Sequence, residues 1–116
     1  MTDCIFCKIV EGEIPSNKEY ESEKILAFRD INPKADTHLL IVPKKHINSL
    51  IDVEDSELNL LGEMMITSAK IARKLGLNNQ GYKIVINNGE GSGQIVFHLH
   101  MHLLGGWKKI PAGWKV

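Results

Sequence analysis

The chain has 116 residues, enough for one compact domain spanning 1–116 and too few for two. Its 43% hydrophobic content supplies a proper core, and 14 acidic against 14 basic residues leave a formal net charge of +0. That balance gives no electrostatic bias toward nucleic acid or a membrane surface, and no stretch approaches the roughly 20 apolar residues needed to cross a bilayer.

In chain order, "MTDCIFCKIV" places an acid and a lysine within its apolar part, a poor secretory signal, so the expected location is the cytoplasm. Its cysteines, Cys4 and Cys7, have C-x-x-C spacing, which in a reducing compartment favours metal or redox chemistry over a structural disulfide. A thioredoxin-like pair follows a strand and opens a helix, and the three residues before Cys4 leave no room for that strand. "EGEIPSN" is turn-rich, and "KILAFRD" (24–30) predicts a strand. "INPKADT" is a turn on Asn32-Pro33, and "HLLIVPKKH" (38–46) predicts a second strand stopped at Pro43.

The segment "DVEDSELNLLGEMMITSAKIARKLGL" switches to helical period. Leu58, Leu61, Met65, Ala69, Ala72 and Leu75 recur at steps of three or four and predict one apolar stripe, with Asp52 or Asp55 as the start cap and Gly76 as the stop. Met64 and Met65 read as core filler. "GYKIVINN" (81–88) predicts a third strand, "GEGSGQ" (89–94) a glycine-rich loop, and "IVFHLHMHLL" a fourth strand. Strands, one long helix and further strands make an α+β fold on an antiparallel sheet.

The run "VFHLHMHLLGG" holds three of the five histidines at alternate positions. In a strand the odd positions, Ile95 through Leu103, would face the helix, and His98, His100 and His102 would share the other face. Same-face neighbours on a strand lie about 6.6–6.8 Å apart, so His98 and His102 are too distant to share one ion with His100. A row of imidazoles suits an extended anionic group such as a phosphate ester, offering several N–H donors and one lone pair able to attack near neutral pH. The preceding glycine loop lets backbone amides approach an anion closely. Outside this run, Asp30 reads as a turn-capping aspartate and Asn87 as an ordinary strand-end asparagine.

"GQIVFHLHMHLLGG" resembles the motif of the histidine triad family, His-φ-His-φ-His-φ-φ with φ apolar. The resemblance runs through "LAFRDINPKADTHLLIVPKKH" and "CIFCKIVEGEIP", and Gly105-Gly106 point to the Hint (histidine triad nucleotide-binding) branch. It implies a homodimer of α+β subunits, with sheets continued or packed across the interface, that hydrolyses purine nucleoside 5′-phosphoramidates. By the same resemblance His100 is the nucleophile, forming a nucleotidyl-histidine that water cleaves; His102 and the Gly93–Gln94 backbone are the donors to the phosphoryl oxygens, and His38 is the fourth histidine beside the triad. Asp30, with Ile31 beside it, matches the ribose-binding acid, and Asn87 a phosphate-side asparagine. Ile95 stands where many relatives carry Ser or Thr, a hydroxyl associated with protonating the leaving nitrogen. Some bacterial relatives with "CIFC" bind zinc through residues matching Cys4, Cys7, His46 and His98, a closed structural site. Two other readings stay open: a dinucleoside polyphosphate hydrolase or nucleotidyltransferase with the same intermediate, and a nucleotide- or zinc-binding scaffold with little catalysis. Trp107 and Trp114 read as leaving-group determinants or as interface packing.

Overall fold

The computed structural model describes residues 3–116. Its centre is a five-stranded antiparallel sheet: β1 (Lys18–Glu21), β2 (Ile25–Arg29), β3 (Thr37–Pro43), β4 (Tyr82–Val85) and β5 (Met101–Gly105), in the spatial order β1-β2-β3-β5-β4. A short helix, α1 (Ile5–Val10), and a long one, α2 (Leu58–Lys74), complete it.

β2 and β3 are buried along almost their whole length, because each is covered on both faces. Ile25, Ala27, Leu39, Ile41, Met101 and Leu103 pack toward Met64, Ile71 and Ala72 of α2. The alternate residues Leu26, Phe28, Leu40 and Val42 pack against Phe6 and Ile9 of α1. The near-continuous apolar run of β3 thus reflects two cores, one on each side of the sheet. β1 has no such run: "KEYE" is a charged edge strand whose register slips between Lys18 and Tyr20, and nothing in its pattern announces it.

The long helix forms as the periodicity predicts, but its buried stripe is rotated. The fully covered positions are Met64, Thr67, Ser68, Ile71 and Ala72, whereas Leu58 is exposed and Met65 is 48% exposed. The two small hydroxyl residues read as surface in a hydropathy pattern. Ser68 is buried without penalty because its Oγ–H donates to the Met64 carbonyl at 2.9 Å. Met64 is core filler; Met65 is not. Neither Asp52 nor Asp55 caps the helix start. Glu54 does so, one turn earlier, through a reciprocal capping box with Glu57 that begins a 3-10 turn. Gly76 ends the helix as expected, with φ +76°.

The largest departure is at residues 95–100, which bend away from the sheet instead of extending β5. Leu99 N–H donates to the Ile47 carbonyl at 2.6 Å, and His98 Nε2–H to the Pro43 carbonyl at 2.7 Å. These bonds draw the segment onto the chain following β3. Ile95 is therefore 87% exposed and Phe97 is also exposed, against the alternation reading, while Leu99, Met101 and Leu103 are buried as it requires.

Gly105-Gly106 closes β5 for two steric reasons. A Cβ on Gly105 would sit 2.9 Å from Leu77 Cδ2. One on Gly106, where φ is +98°, would sit 2.7 Å from Asp36 Cβ.

Candidate active site

Strand parity carries His38 and His102 to the α1 face of the sheet, because Leu40, a residue of that face, is the partner of His102 across β3 and β5. They open there onto a cavity of about 970 Å³, together with His100, Asp30, Phe6 and Leu104. Ile31, Asn87, Gly93 and Ile95 line the same cavity, with Ile31 and Ile95 as its highly exposed rim, so the predicted nucleotide residues converge on one space except Gln94, which is buried behind the loop and does not line it.

The three triad imidazoles do not form one exposed row. His98 is fully buried, and its ring turns away from the cavity to join Cys4, Cys7 and His46. His100 and His102 remain side by side, ring centroids 4.9 Å apart. The bend at 96–98 separates the first ring from the other two.

The hydrogen bonds fix every tautomer in the cavity. Lys34 backbone N–H donates to His38 Nδ1 at 3.0 Å, so the neutral ring carries its proton on Nε2. His38 Nε2–H then donates to His102 Nδ1 at 2.9 Å, with Asp30 Oδ2 3.4 Å from the same nitrogen. His102 must therefore carry its own proton on Nε2, as a donor. His100 is the converse case. Its Nδ1–H donates to the His98 carbonyl at 2.7 Å, which leaves the Nε2 lone pair free. One ring presents a free lone pair and its neighbour an N–H.

Burial holds these rings neutral. It lowers His100 and His38 below the usual imidazole value, and takes His102 down to about 4, helped by the neighbouring His100 and His38. The tautomer chain also argues against a metal ion at Asp30, His38 and His102, whose donor atoms lie close together. Coordination through His38 Nε2 would move its proton to Nδ1, where the Lys34 amide already donates.

Asp30 does two things at once: Oδ1 accepts Asn32 N–H at 2.8 Å, the turn-capping role, while Oδ2 faces His38. In the glycine loop, Gly93 N–H donates to the Glu90 carbonyl and Gln94 N–H to that of Gly89. The Gln94 side chain is buried: Oε1 accepts Gly89 N–H at 2.8 Å, and Nε2 donates to the carbonyls of Asn48 and Val96. Gln94 thus ties the loop shut from beneath.

The second cluster fits a tetrahedral metal. Cys4 Sγ and Cys7 Sγ lie 3.3 and 3.6 Å from His98 Nδ1, and Cys7 Sγ lies 3.3 Å from His46 Nδ1. Bonds of about 2.3 Å to sulfur and about 2.0–2.1 Å to nitrogen at tetrahedral angles put such atoms about 3.6 Å apart. Both rings are oriented for it: His98 Nε2–H is held by the Pro43 carbonyl and His46 Nε2–H by Asn48 Oδ1 at 2.9 Å, so both Nδ1 lone pairs face the thiols. Burial, with Cys4 beside it, pushes the Cys7 thiol up to about 11, so loading a metal here expels protons. Cys4 also caps α1, its Sγ accepting Cys7 N–H at 3.3 Å. The pair therefore does open a helix.

Four participants carry no signal in the sequence pattern. Phe6 packs edge-on against both His98 and His100, centroids 5.9 and 5.1 Å away. Lys34 acts through its backbone, and Asn48 connects His46 to Gln94. Ser16 Oγ is buried without a partner among the described residues, and Ser16 lines the cavity. Trp114 reaches the cavity as well, packed against Trp107 of the same chain at 5.4 Å.

The model of the HIT domain matches residues 11–109. The "Purine nucleoside phosphoramidase" of Escherichia coli (strain K12) is 44% identical over 104 residues, covering 90% of this chain and 87% of that protein. A "14 kDa zinc-binding protein" of Zea mays is 47% identical over 104 residues, 88% of this chain and 80% of that one. Among solved structures, a HIT family hydrolase from Legionella pneumophila Philadelphia 1 superposes with a TM-score of 0.89 at 51% identity, covering 90% of this chain and 94% of that one.

Proposed function

Because this chain belongs to the HIT domain family, we propose that it is a nucleotide hydrolase that cleaves P–N bonds of purine nucleoside 5′-phosphoramidates through a covalent intermediate on His100. The observation that carries this reading is the opposed pair of tautomers: a free lone pair on His100 Nε2 beside a donor N–H on His102 Nε2. The similarity to a purine nucleoside phosphoramidase supports the substrate class.

His100 Nε2 attacks the α-phosphorus, forming an N–P bond as the P–N bond to the amine breaks. The His98 carbonyl, accepting Nδ1–H, stabilises the positive charge that develops on the ring. His102 Nε2–H meets the negative charge growing on the phosphoryl oxygens. The amine leaves with a proton from water, since Ile95 offers no hydroxyl and a neutral His102 can donate a hydrogen bond but not give up its last proton, and the hydroxide left behind cleaves the nucleotidyl-histidine to free His100. Asp30 Oδ2 accepts from the ribose hydroxyls, with Ile31 at its side, and Asn87 and the loop around Gly93 and Gln94 flank the phosphate. The apolar wall made by Phe6, Ile9 and Leu40 suits a purine, to whose edge Ser16 Oγ can hydrogen-bond.

The test is direct. With an adenosine phosphoramidate, His100→Ala should lose turnover and the adenylyl adduct while keeping its circular dichroism spectrum. Full activity in that variant would dismiss the nucleophile assignment. Equal turnover of an amide and a dinucleoside polyphosphate would favour the wider hydrolase reading, and AMP binding without product the scaffold.

Zinc is the metal we assign to Cys4, Cys7, His46 and His98, on the donor set, the tetrahedral spacing and the likeness to a zinc-binding protein. With four protein ligands it leaves no position for substrate, so its chemistry is structural. Elemental analysis should find about one zinc per chain, falling sharply in Cys4→Ser.

A homodimer is the proposed assembly. Exposed Leu58, Met65 and Ile66 share one side of α2, and β4 is an edge strand with one side unpaired. None of the described helices is long and apolar enough to cross a membrane. We place the protein in the cytoplasm, where the two thiols stay reduced.

A further inference from the structure

The cysteine–histidine cluster touches the nucleotide cavity by three routes, one from each element it holds. His98 supplies the carbonyl that accepts His100 Nδ1–H, so the residue whose ring serves the cluster fixes the nucleophile with its backbone. His46 Nε2–H donates to Asn48 Oδ1. The Asn48 carbonyl accepts from Gln94 Nε2 at 2.7 Å, and Gln94 Oε1 accepts Gly89 N–H, which reaches the loop whose Gly93 and Ile95 line the cavity. Cys4 and Cys7 bracket Phe6 at the start of α1, and Phe6 is both a wall of the cavity and an edge contact of His100. Nucleophile, phosphate loop and base wall all end at the same four side chains.

We propose that metal at this cluster is an allosteric ligand of the nucleotide cavity, coupled positively to nucleotide binding, with Asn48 as the positioning residue between His46 and the phosphate loop. This rests on the cavity being the nucleotide site. Without metal, the four side chains are joined by thiol–imidazole hydrogen bonds, each of modest net strength. Coordination replaces them with bonds of fixed length and angle, so three walls are ordered before nucleotide arrives. A ligand entering walls already ordered meets a smaller entropic penalty. Reciprocity follows from linkage: nucleotide must tighten metal by the same factor that metal tightens nucleotide. We expect about tenfold, inside the roughly 5–150-fold span of such couplings.

The experiment uses the full chain, zinc-loaded and chelator-stripped, with AMP and zinc(II) as probes. Calorimetry should give AMP binding about tenfold tighter in the zinc form, within the span above. Competition against a chromophoric chelator should show saturating AMP tightening zinc by the same factor. In zinc-loaded protein, Asn48→Ala should keep its zinc and its melting temperature yet bind AMP several-fold more weakly. Asn48→Asp, which keeps an acceptor for His46 Nε2–H, should restore wild-type affinity. If stripping unfolds the chain, these two variants decide the matter in the zinc form. AMP affinity independent of zinc, or unchanged in Asn48→Ala, overturns the coupling and leaves the proposed function standing. AMP bound by neither form removes that function and the coupling with it, and failure to bind zinc overturns the coupling outright.

Discussion

Phe6→Ala is the substitution on which α1 stands or falls. Phe6 is buried, meets Phe28 edge-on at 5.6 Å, and touches His98 and His100 in the same manner. Replacing a buried Phe by Ala costs about 3–5 kcal/mol, through lost transfer energy and the cavity left behind. One side of Phe6 lines the open cavity, where water can enter, so the lower end applies, about 3 kcal/mol. Unfolding entropy of about 2.1 cal/mol/K per residue gives about 240 cal/mol/K for this chain, so 3 kcal/mol lowers Tm by about 12 °C. Differential scanning calorimetry of zinc-loaded protein measures this. AMP affinity should fall in the same variant, because the proposed base wall and a ring contact of His100 are gone. A Tm drop under about 3 °C, less than the shift for 1 kcal/mol, would mean that α1 is not packed on the sheet in solution.

Hydrolysis should lose its rate only below the ordinary imidazole range. Burial beside His100 and His38 holds His102 down at about 4, and burial lowers His100 and His38 as well, so all three rings are more neutral than a free imidazole at the same pH. A kcat/KM that halves at or above pH 6.5 would contradict this. The same depression makes folding acid-sensitive: the unfolded ring binds protons from about 6.5 downward and the folded ring resists, so stability is full above 6.5 and lost as pH falls toward about 4, as urea melts would record. Met64→Ala, at a position with 0% exposure, should lower stability by about 2–5 kcal/mol. Met65→Glu, one residue on, should keep the fold and shift the light-scattering mass toward the monomer; an unchanged dimer would clear that face of α2. Gly106→Ala should cost about 1–3 kcal/mol in urea titration, since alanine is strained at φ +98° and its Cβ would press on Asp36.

The parts of this fold that depend on local period and on residue type are legible in the sequence. The apolar runs of β2 and β3, the helical spacing after residue 58 and the turn at Asn32-Pro33 are fixed by what each residue can bury or bend. So is the chemistry available: five imidazoles, two thiols and a glycine loop in a family pattern limit the site to few reactions. Tertiary structure alone decided which ring does what. Alternation would give His98, His100 and His102 one shared face, but backbone and side-chain bonds to Ile47 and Pro43 bend the segment and send His98 to the thiols. The rotation of the α2 stripe was likewise hidden, because a Ser68 hydroxyl bonded to a carbonyl four residues earlier is indistinguishable in sequence from one facing water. Phe6, Lys34 and Asn48 acquire their roles from partners 2 to 94 residues away along the chain. A hydrogen bond or ring contact at that range leaves no periodic trace, since it depends on where two elements meet and not on the spacing within either.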